Sequence, residues 1–155
     1  MTFAALALCL AMAASDNTPP QVLAEASYCT PFGCLWAVTV ATDGRVNVTV
    51  HKEAHRNGRY TLSFRQLAEL RATLDREAAL ELSGALGDLL VDGPVRTISV
   101  KSSTRATSFR LYSSPPGLAQ IFDQDSSAVS RAIRVCEALR RLGRNGSLAR
   151  CVDSR

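Results

Sequence analysis

Two runs of alternating apolar and polar residues, separated by an Asp-Gly turn, constrain the fold of this chain most. The first run spans residues 35–40 and the second spans residues 46–51, with Asp43-Gly44 between them. Alternation places every second side chain on the same face of a strand, and Asp-Gly tolerates the positive φ of a tight hairpin turn. The sequence therefore predicts an antiparallel hairpin with one apolar face and one polar face.

A helix, a second hairpin and a last helix are predicted further along the chain. Ser63 opens a capping box with Gln66, and apolar residues at steps of three and four then predict a helix that ends near Ser83-Gly84. The runs 95–101 and 107–113 predict the second hairpin. Residues 127–142 predict an amphipathic helix with a single apolar stripe.

These elements follow one another in the order strand-strand, helix, strand-strand, helix, and a short run at 60–62 can add a fifth strand. The sequence therefore predicts an α+β domain (order ββαββα), in which two helices pack on one face of an antiparallel four- to five-stranded sheet. The other face of such a sheet can remain in water. This open face would carry Thr39, Asn47, Thr49, His51, Ser108, Arg110 and Tyr112.

The first fourteen residues are apolar and uncharged and end in the small-residue run Ala11-Met12-Ala13. This layout is typical of a secretory signal peptide, and it is shorter than the roughly 20 residues of a membrane-spanning helix. We expect a periplasmic or secreted protein without a transmembrane span in the mature chain. The expected segments are a signal peptide at 1–14, a flexible lead-in at 15–27, a single α+β domain at 28–143 and a C-terminal tail at 144–155.

The chain has five cysteines, and removal of Cys9 with the signal peptide leaves four. An even number of cysteines in an exported chain predicts two disulfides, for which three connectivities exist. We favour the local pairing of Cys29 with Cys34 and of Cys136 with Cys151, which would tie the tail back to the last helix. Zinc ligation is disfavoured because Cys136 and Cys151 stand too far apart for the closely spaced ligand pairs of tetrahedral zinc sites.

The composition and motifs indicate no particular chemistry. The net charge is +4, supplied almost wholly by arginine, and net charge informs solubility and nonspecific association rather than a site. The arginines of the last helix carry no interleaved aromatic residue, so they are interpreted as a solvated face and no nucleic-acid partner is expected. The sequence contains no nucleophile elbow, phosphate loop, His-Glu-x-x-His or Cys-x-x-Cys motif. We expect no cofactor, no metal and no catalytic residue.

The segment Cys29-Thr30-Pro31-Phe32-Gly33-Cys34, the strand after it and Asp43-Gly44-Arg45-Val46 resemble the start of a bacterial family, domain of unknown function 6438. The resemblance covers roughly residues 28–142. The chain departs from the family at His51-Lys52-Glu53, where an aromatic residue and a glycine are usual, and in its tail from Cys136 to Cys151. The resemblance implies an envelope-associated α+β domain and implies no activity.

The function expected from these observations is that of an exported, disulfide-stabilised envelope domain that binds a partner without catalysis. The partner would be an envelope protein or a small ligand. The alternative is an envelope hydrolase with a dispersed site near His51 and His55. Contact residues are expected on the open face, at Asn47, Thr49, His51, Arg110 and Tyr112.

Overall fold

The computed structural model describes residues 21–87, 94–112, 126–143, 148 and 151. Within these residues the chain forms seven β-strands and two α-helices. The strands are β1 (Val22–Thr30), β2 (Gly33–Ala41), β3 (Arg45–Val50), β4 (Gly58–Thr61), β5 (Gly84–Leu86), β6 (Val95–Lys101) and β7 (Ala106–Tyr112). The helices are α1 (Phe64–Arg76) and α2 (Ser126–Arg141), and two short 3-10 helices cover Ala54–Arg56 and Ala79–Glu81.

The strands form one sheet in the order β4-β3-β2-β1-β6-β7-β5. All neighbours are antiparallel except β5, which runs parallel to β7. The predicted α+β class is confirmed, and both predicted hairpins form. The predicted count of four to five strands and the order ββαββα are wrong, since the described chain has seven strands in the order ββββαβββα. The three residues of β5 are too few to show a period of two in the sequence.

The central strand β1 was not predicted. Residues 22–27, expected to belong to a flexible lead-in, form most of this strand. Ala24 and Ala26 are fully buried between β2 and β6. Alanine is depleted in strands, so this run gives only a weak strand signal in the sequence. The predicted signal peptide at 1–14 lies outside the described residues.

One face of the sheet forms the hydrophobic core with both helices. Alternate strand residues on this face are buried, and buried residues of α1 and α2 belong to the same cluster, so the two helices lie on that face as the sequence predicts. The strand residues are Ala24, Ala26, Tyr28, Trp36, Val38, Val40, Val46, Val48, Ile98, Val100, Phe109 and Leu111; the helix residues are Leu70, Leu74, Ala132, Val135, Cys136 and Leu139.

The core also contains a buried cation that the sequence analysis did not predict. Arg96 on β6 is fully buried, and its guanidinium carbon lies 4.4 Å from the centroid of the Tyr28 ring. On the opposite side of Tyr28, the ring of Trp36 lies 6.2 Å away, centroid to centroid. A guanidinium over an aromatic face is attracted by the quadrupole of the ring. These three side chains brace the end of the sheet from which the β1–β2 hairpin projects.

Helix α1 begins as predicted and ends earlier. The Ser63 hydroxyl accepts a hydrogen bond from the backbone N–H of Gln66, and the Gln66 side chain accepts one from the backbone N–H of Ser63. The helix ends at Arg76, because Ala78 adopts a left-handed conformation (φ 46°). Leu82 is still buried, although a 3-10 helix and not α1 carries the chain to it. The predicted end near Ser83 is wrong for this reason.

An ion pair joins the end of α1 to α2. The side chain of Glu77 is only 6% exposed, and its carboxylate oxygens lie 2.8 Å from Nε of Arg134 and 3.3 Å from Nε of Arg76. The hydrogen bond from Arg134 lowers the pKa of Glu77, burial opposes this effect, and the hydrogen bond from Arg76 adds to the lowering. The net pKa lies below the ordinary glutamate value. The charged form of Glu77 is therefore the form that stabilises the fold.

Substitution of Glu77 with Gln tests this ion pair. A carboxylate with a lowered pKa in the folded state contributes stability above its unfolded-state pKa and loses that contribution as the pH falls through the folded-state value. We expect E77Q to be less stable than the wild type near about pH 7, with the difference shrinking towards about pH 3. Urea unfolding midpoints at each pH measure this. The control is Glu81→Gln, because Glu81 is exposed and has no ion pair among the described residues. Urea midpoints of E77Q and of the wild type that change in parallel with pH would contradict the stabilising role of the Glu77 carboxylate.

The C-terminal tail is tied to α2 by a disulfide and by hydrogen bonds. Cys136 and Cys151 form the predicted bridge, with their Cα atoms 6.0 Å apart. Glu137 accepts hydrogen bonds from the backbone N–H of Cys151 (2.9 Å) and from Nε of Arg140 (2.8 Å). Burial raises the pKa of Glu137, and these hydrogen bonds outweigh the effect so that the net pKa is lowered. The hydroxyl of Tyr60 on β4 donates to the carbonyl of Leu142, which joins the tail to an edge of the sheet.

The bend after α2 requires a residue without a side chain. A Cβ atom built on Gly143 would lie 2.8 Å from Cγ of the buried Leu148 and closer still to its Cδ1. We expect Gly143→Ala to destabilise the fold by about 1–3 kcal/mol, because overpacking forces a shift of Leu148. Gly58→Ala is the matched control, since no atom lies within 4 Å of a Cβ at that position. Equal unfolding free energies of the two variants in urea would show that the tail does not pack as described.

Candidate interaction site

The face of the sheet opposite the helices is the candidate interaction site, and we call it the open face. In the described chain both helices lie on the other side of the sheet, so neither covers it. Six of the seven residues predicted for this face lie on it: Thr39, Asn47, Thr49, Ser108, Arg110 and Tyr112. The structure adds Glu25, Ser27, Ala37, Arg59, Thr97 and Ser99, which the register places beside them.

The chemistry of the open face changes from its centre to its sides. Small side chains fill the centre, where Ser27 pairs with Ala37 on β2 and with Thr97 on β6. Two guanidinium groups flank it, Arg59 on β4 and Arg110 on β7, and neither forms an ion pair with a described residue. The centre therefore offers hydroxyl groups and the carboxylate of Glu25, and each side offers an acidic partner a cation without an ion pair to a described residue.

The predicted contact residues fall into two groups on this face. Asn47 and Thr49 lie on β3, whereas Arg110 and Tyr112 lie on β7. Three strands separate β3 from β7, which corresponds to roughly 19 Å at the usual spacing of paired strands. A small ligand does not span this distance, so the two groups can act together only on an extended partner.

His51, predicted for the open face, lies one residue beyond the end of the strand that carries Asn47 and Thr49. Strand β3 ends at Val50, and His51 lies exposed in the following turn, where its backbone N–H donates to the carbonyl of Leu35 (3.0 Å). His55 lies exposed in the 3-10 helix Ala54–Arg56. Among the described residues, no group of three or more His, Cys, Asp and Glu side chains is placed to hold a metal ion. The predicted run 46–51 therefore extends one residue beyond the end of β3.

A shallow cavity of about 290 Å³ lies beside the first group of predicted residues. Asn47, Thr49, Asn57 and Arg59 line it. The side-chain oxygen of Asn57 accepts a hydrogen bond from the backbone N–H of Val50 (2.6 Å), which fixes the chain between β3 and β4. The cavity combines amide, hydroxyl and guanidinium groups, so it suits a small polar or anionic group of a partner.

The tip of the β1–β2 hairpin is a second feature, which the sequence analysis did not identify as a contact surface. Cys29 and Cys34 form the predicted disulfide across its base, and only Pro31 and Phe32 lie between the paired residues Thr30 and Gly33. The side chain of Phe32 is 98% exposed. The sequence signal for this tip is an aromatic residue beside a Pro and a Gly between two cysteines, a pattern that by itself predicts only a turn.

A larger cavity, of about 570 Å³, lies at the opposite end of the sheet. Its floor is apolar and includes Leu23, Leu74 and Val100, while its rim carries charges of both signs on Arg71, Asp75, Glu81, Lys101 and Arg105. Four segments contribute to it: the start of β1, helix α1, the 3-10 helix Ala79–Glu81 and the β6–β7 turn. A cavity assembled from such distant segments leaves no pattern in the sequence.

Comparison of the chain with protein-family models and with curated proteins finds no match. The resemblance to domain of unknown function 6438 therefore stays a prediction. Of the helices in the described residues, neither α1 nor α2 has the length and apolar character that crossing a membrane requires.

The two disulfides should differ in their contribution to stability. Loop-entropy arguments give about 2 kcal/mol for the short loop closed by Cys29–Cys34 and about 3 kcal/mol for the longer loop closed by Cys136–Cys151. We expect the C29A/C34A variant to remain folded with a modest loss of stability. The C136A/C151A variant should lose more, because both of its sulfur atoms lie in the core and the tail is released. Urea unfolding of the two double variants measures the difference, and a larger loss in C29A/C34A would contradict the assignment.

Proposed function

We propose that this chain is an exported, disulfide-stabilised domain of the bacterial envelope that binds a partner without catalysis. The apolar N-terminal segment with its small-residue end supports export. Two disulfides support an oxidising compartment, because such bonds persist in the periplasm and outside the cell. We further propose that the chain belongs to the domain of unknown function 6438 family, which the disulfide-closed segment before β2 and the Asp43-Gly44 turn before β3 support.

The observation that carries the binding role is the open face itself. It is rich in hydroxyl groups, carries the carboxylate of Glu25 near its centre and is flanked by two arginines without ion pairs to described residues. From β4 to β7 and along the strands it measures roughly 500 Å² in projection at the usual strand dimensions. A standard protein interface buries roughly 800 Å² on each partner. We infer that the open face forms the main part of an interface that extends onto neighbouring segments.

The alternative proposal is an envelope hydrolase with a dispersed site near His51 and His55. His55 borders a cavity of about 220 Å³ next to Tyr60 and Leu148, and His51 does not. A substrate-panel assay of the mature protein, compared with the double variant His51→Ala and His55→Ala, separates this alternative from the binding role. Hydrolysis that disappears in the double variant would support the enzyme.

Charge reversal at Arg110 tests the binding role. A photo-crosslinking residue at Thr97, in the centre of the open face, captures the partner in cells, and the same residue at exposed Ala72 on α1 is the control for nonspecific capture. The partner identified in this way is then purified for affinity measurements. We expect Arg110→Glu to weaken its binding by about 10-fold or more, since reversing a charge at an interface both removes an attraction and adds a repulsion.

The matched control for that affinity measurement is Arg105→Glu. Arg105 is exposed in the β6–β7 turn, at the end of the sheet away from Tyr112, and it forms no ion pair with a described residue. We expect it to leave the affinity within about 2-fold of the wild type, as for a charge outside the contact area. Equal affinities of R110E and R105E would count against the open face as the binding surface.

A further inference from the structure

Phe32 is the most exposed of the large apolar side chains in the described chain, at 98%. It lies at the tip of the β1–β2 hairpin, where the chain reverses direction through Pro31 and Phe32. Its ring makes no contribution to the core. A large aromatic side chain held away from its own fold presents apolar area that only another molecule can bury.

The hairpin tip holds Phe32 in a defined position. The Thr30 hydroxyl donates to the carbonyl of Gly33 (3.1 Å) and accepts a hydrogen bond from the backbone N–H of Phe32 (3.2 Å). The Cys29–Cys34 disulfide closes the base directly below these bonds. Beneath the disulfide, Tyr28 is held between Trp36 and Arg96. The backbone that carries Phe32 is therefore ordered before any partner arrives.

Order before binding matters because association otherwise costs the entropy of fixing a loop and its side chains. A phenylalanine has only two side-chain torsions to fix, and its ring buries on the order of 150–250 Å². An aromatic side chain of this kind, presented by a rigid segment, has the properties of an interface hot spot.

We propose that Phe32 is an anchor that inserts into an apolar pocket of a protein partner bound at the open face. The proposal rests on the proposed function, because it extends the same interface onto the hairpin. The register supports this continuity: Cys29 pairs with Val95 and Val95 pairs with Tyr112. Tyr112 thus lies two strand spacings, roughly 10 Å, from the base of the hairpin.

The same geometry defines the chemistry of the partner. Arg110 is exposed on β7, one position before Leu111 and two before Tyr112, and it has no ion pair with a described residue. Arg110 pairs with Thr97, and Thr97 pairs with Ser27, so this guanidinium lies level with the centre of the open face, roughly 15–20 Å from the hairpin tip at the usual strand dimensions. The partner is therefore a protein with an apolar pocket the size of one aromatic ring and with carboxylates at that distance from the pocket, where they meet Arg110.

A protein pocket fits the tip better than a lipid surface. Phe32 is flanked by Pro31 and Gly33, so the tip carries a single large apolar side chain. Stable membrane anchoring takes two strong signals, since even one acyl chain binds only marginally. A concave pocket surrounds both faces of the ring. A single side chain needs this degree of burial to contribute strongly to the binding free energy.

Phe64 provides a matched control. It is 90% exposed at the start of α1 and is therefore as accessible as Phe32. It lies at the other end of the sheet, where the backbone N–H of Leu62 donates to the carbonyl of Gly44 in the β2–β3 turn. No disulfide constrains this position among the described residues. A nonspecific effect of exposed aromatic area would appear equally at both sites.

The test places the photoreactive amino acid p-benzoylphenylalanine at position 32, 64 or 97 of the full chain, followed by irradiation of the producing cells. We expect positions 32 and 97 to form an adduct with the same protein and position 64 to form none. That protein is then purified and titrated with each variant. Phe32→Ala should weaken binding by about 30-fold or more, Phe64→Ala by less than about 2-fold, and Phe32→Trp should retain most of the affinity.

One further readout excludes a folding defect as the cause, and a second tests the contribution of the closed hairpin base. The Phe32→Ala variant should unfold at the wild-type temperature, because the ring packs on nothing in the described chain. The C29A/C34A variant, which keeps Phe32 and loses the closed base, should bind several-fold more weakly than the wild type, on the order of 3- to 10-fold.

Each contrary result has a distinct meaning. An adduct at position 97 without one at position 32 overturns the anchor and leaves the binding role of the open face in place. No adduct at either position counts against both. An adduct of position 32 with lipid or with a second copy of the chain, or equal affinities of the Phe32→Ala and Phe64→Ala variants, also overturns the anchor.

Discussion

The pairing of β1 with both β2 and β6 is the constraint on which the rest of the structure depends. Without β1, the chain would have two separate three-stranded units, β2-β3-β4 and β6-β7-β5, because β1 is the strand that pairs with both β2 and β6. With β1 in place, the seven strands present one continuous apolar face, and both helices pack on that face to form the core. Ala24 and Ala26, fully buried at the centre, leave room above β1, so the larger side chains of α2 can approach it. Small residues in the central strand thus allow α2 to pack close to the sheet.

The same strand links the core to the candidate surface. Beyond the core, β1 continues with β2 into the hairpin that carries the Cys29–Cys34 disulfide and Phe32. Its alternate side chains, Glu25 and Ser27, lie in the middle of the open face. Because the helices occupy only one side, the sheet presents a polar surface and a disulfide-closed apolar tip in one continuous structure. Shape and chemistry at this surface suit recognition of an extended partner, which is why a binding role is the function that we propose.

The parts of the fold that local pattern encodes could be predicted from the sequence. Asp43-Gly44, the Ser63 capping box and the apolar stripe of α2 each determine a nearby turn or helix, and the structure has all three. The parts that depend on distant pairing could not. Alanines in β1 have weak strand preference, β5 has three residues, and Leu82 reaches the core after α1 has ended. On the candidate surface, Asn47, Thr49, Arg110 and Tyr112 follow from alternation, whereas their separation across β1, β2 and β6 follows only from the strand order.

The most direct test of an exported, disulfide-stabilised domain is the intact mass of the protein recovered from a periplasmic fraction, before and after reduction and alkylation. We expect a mass that corresponds to cleavage near Ala13, with the cysteines at 29, 34, 136 and 151 alkylated only after reduction. A mass that includes the N-terminal segment, together with thiols alkylated without reduction, would contradict it. In that case the disulfide-closed hairpin and the tied tail would not exist in the cell, and the proposed interface would lose the two constraints that order it.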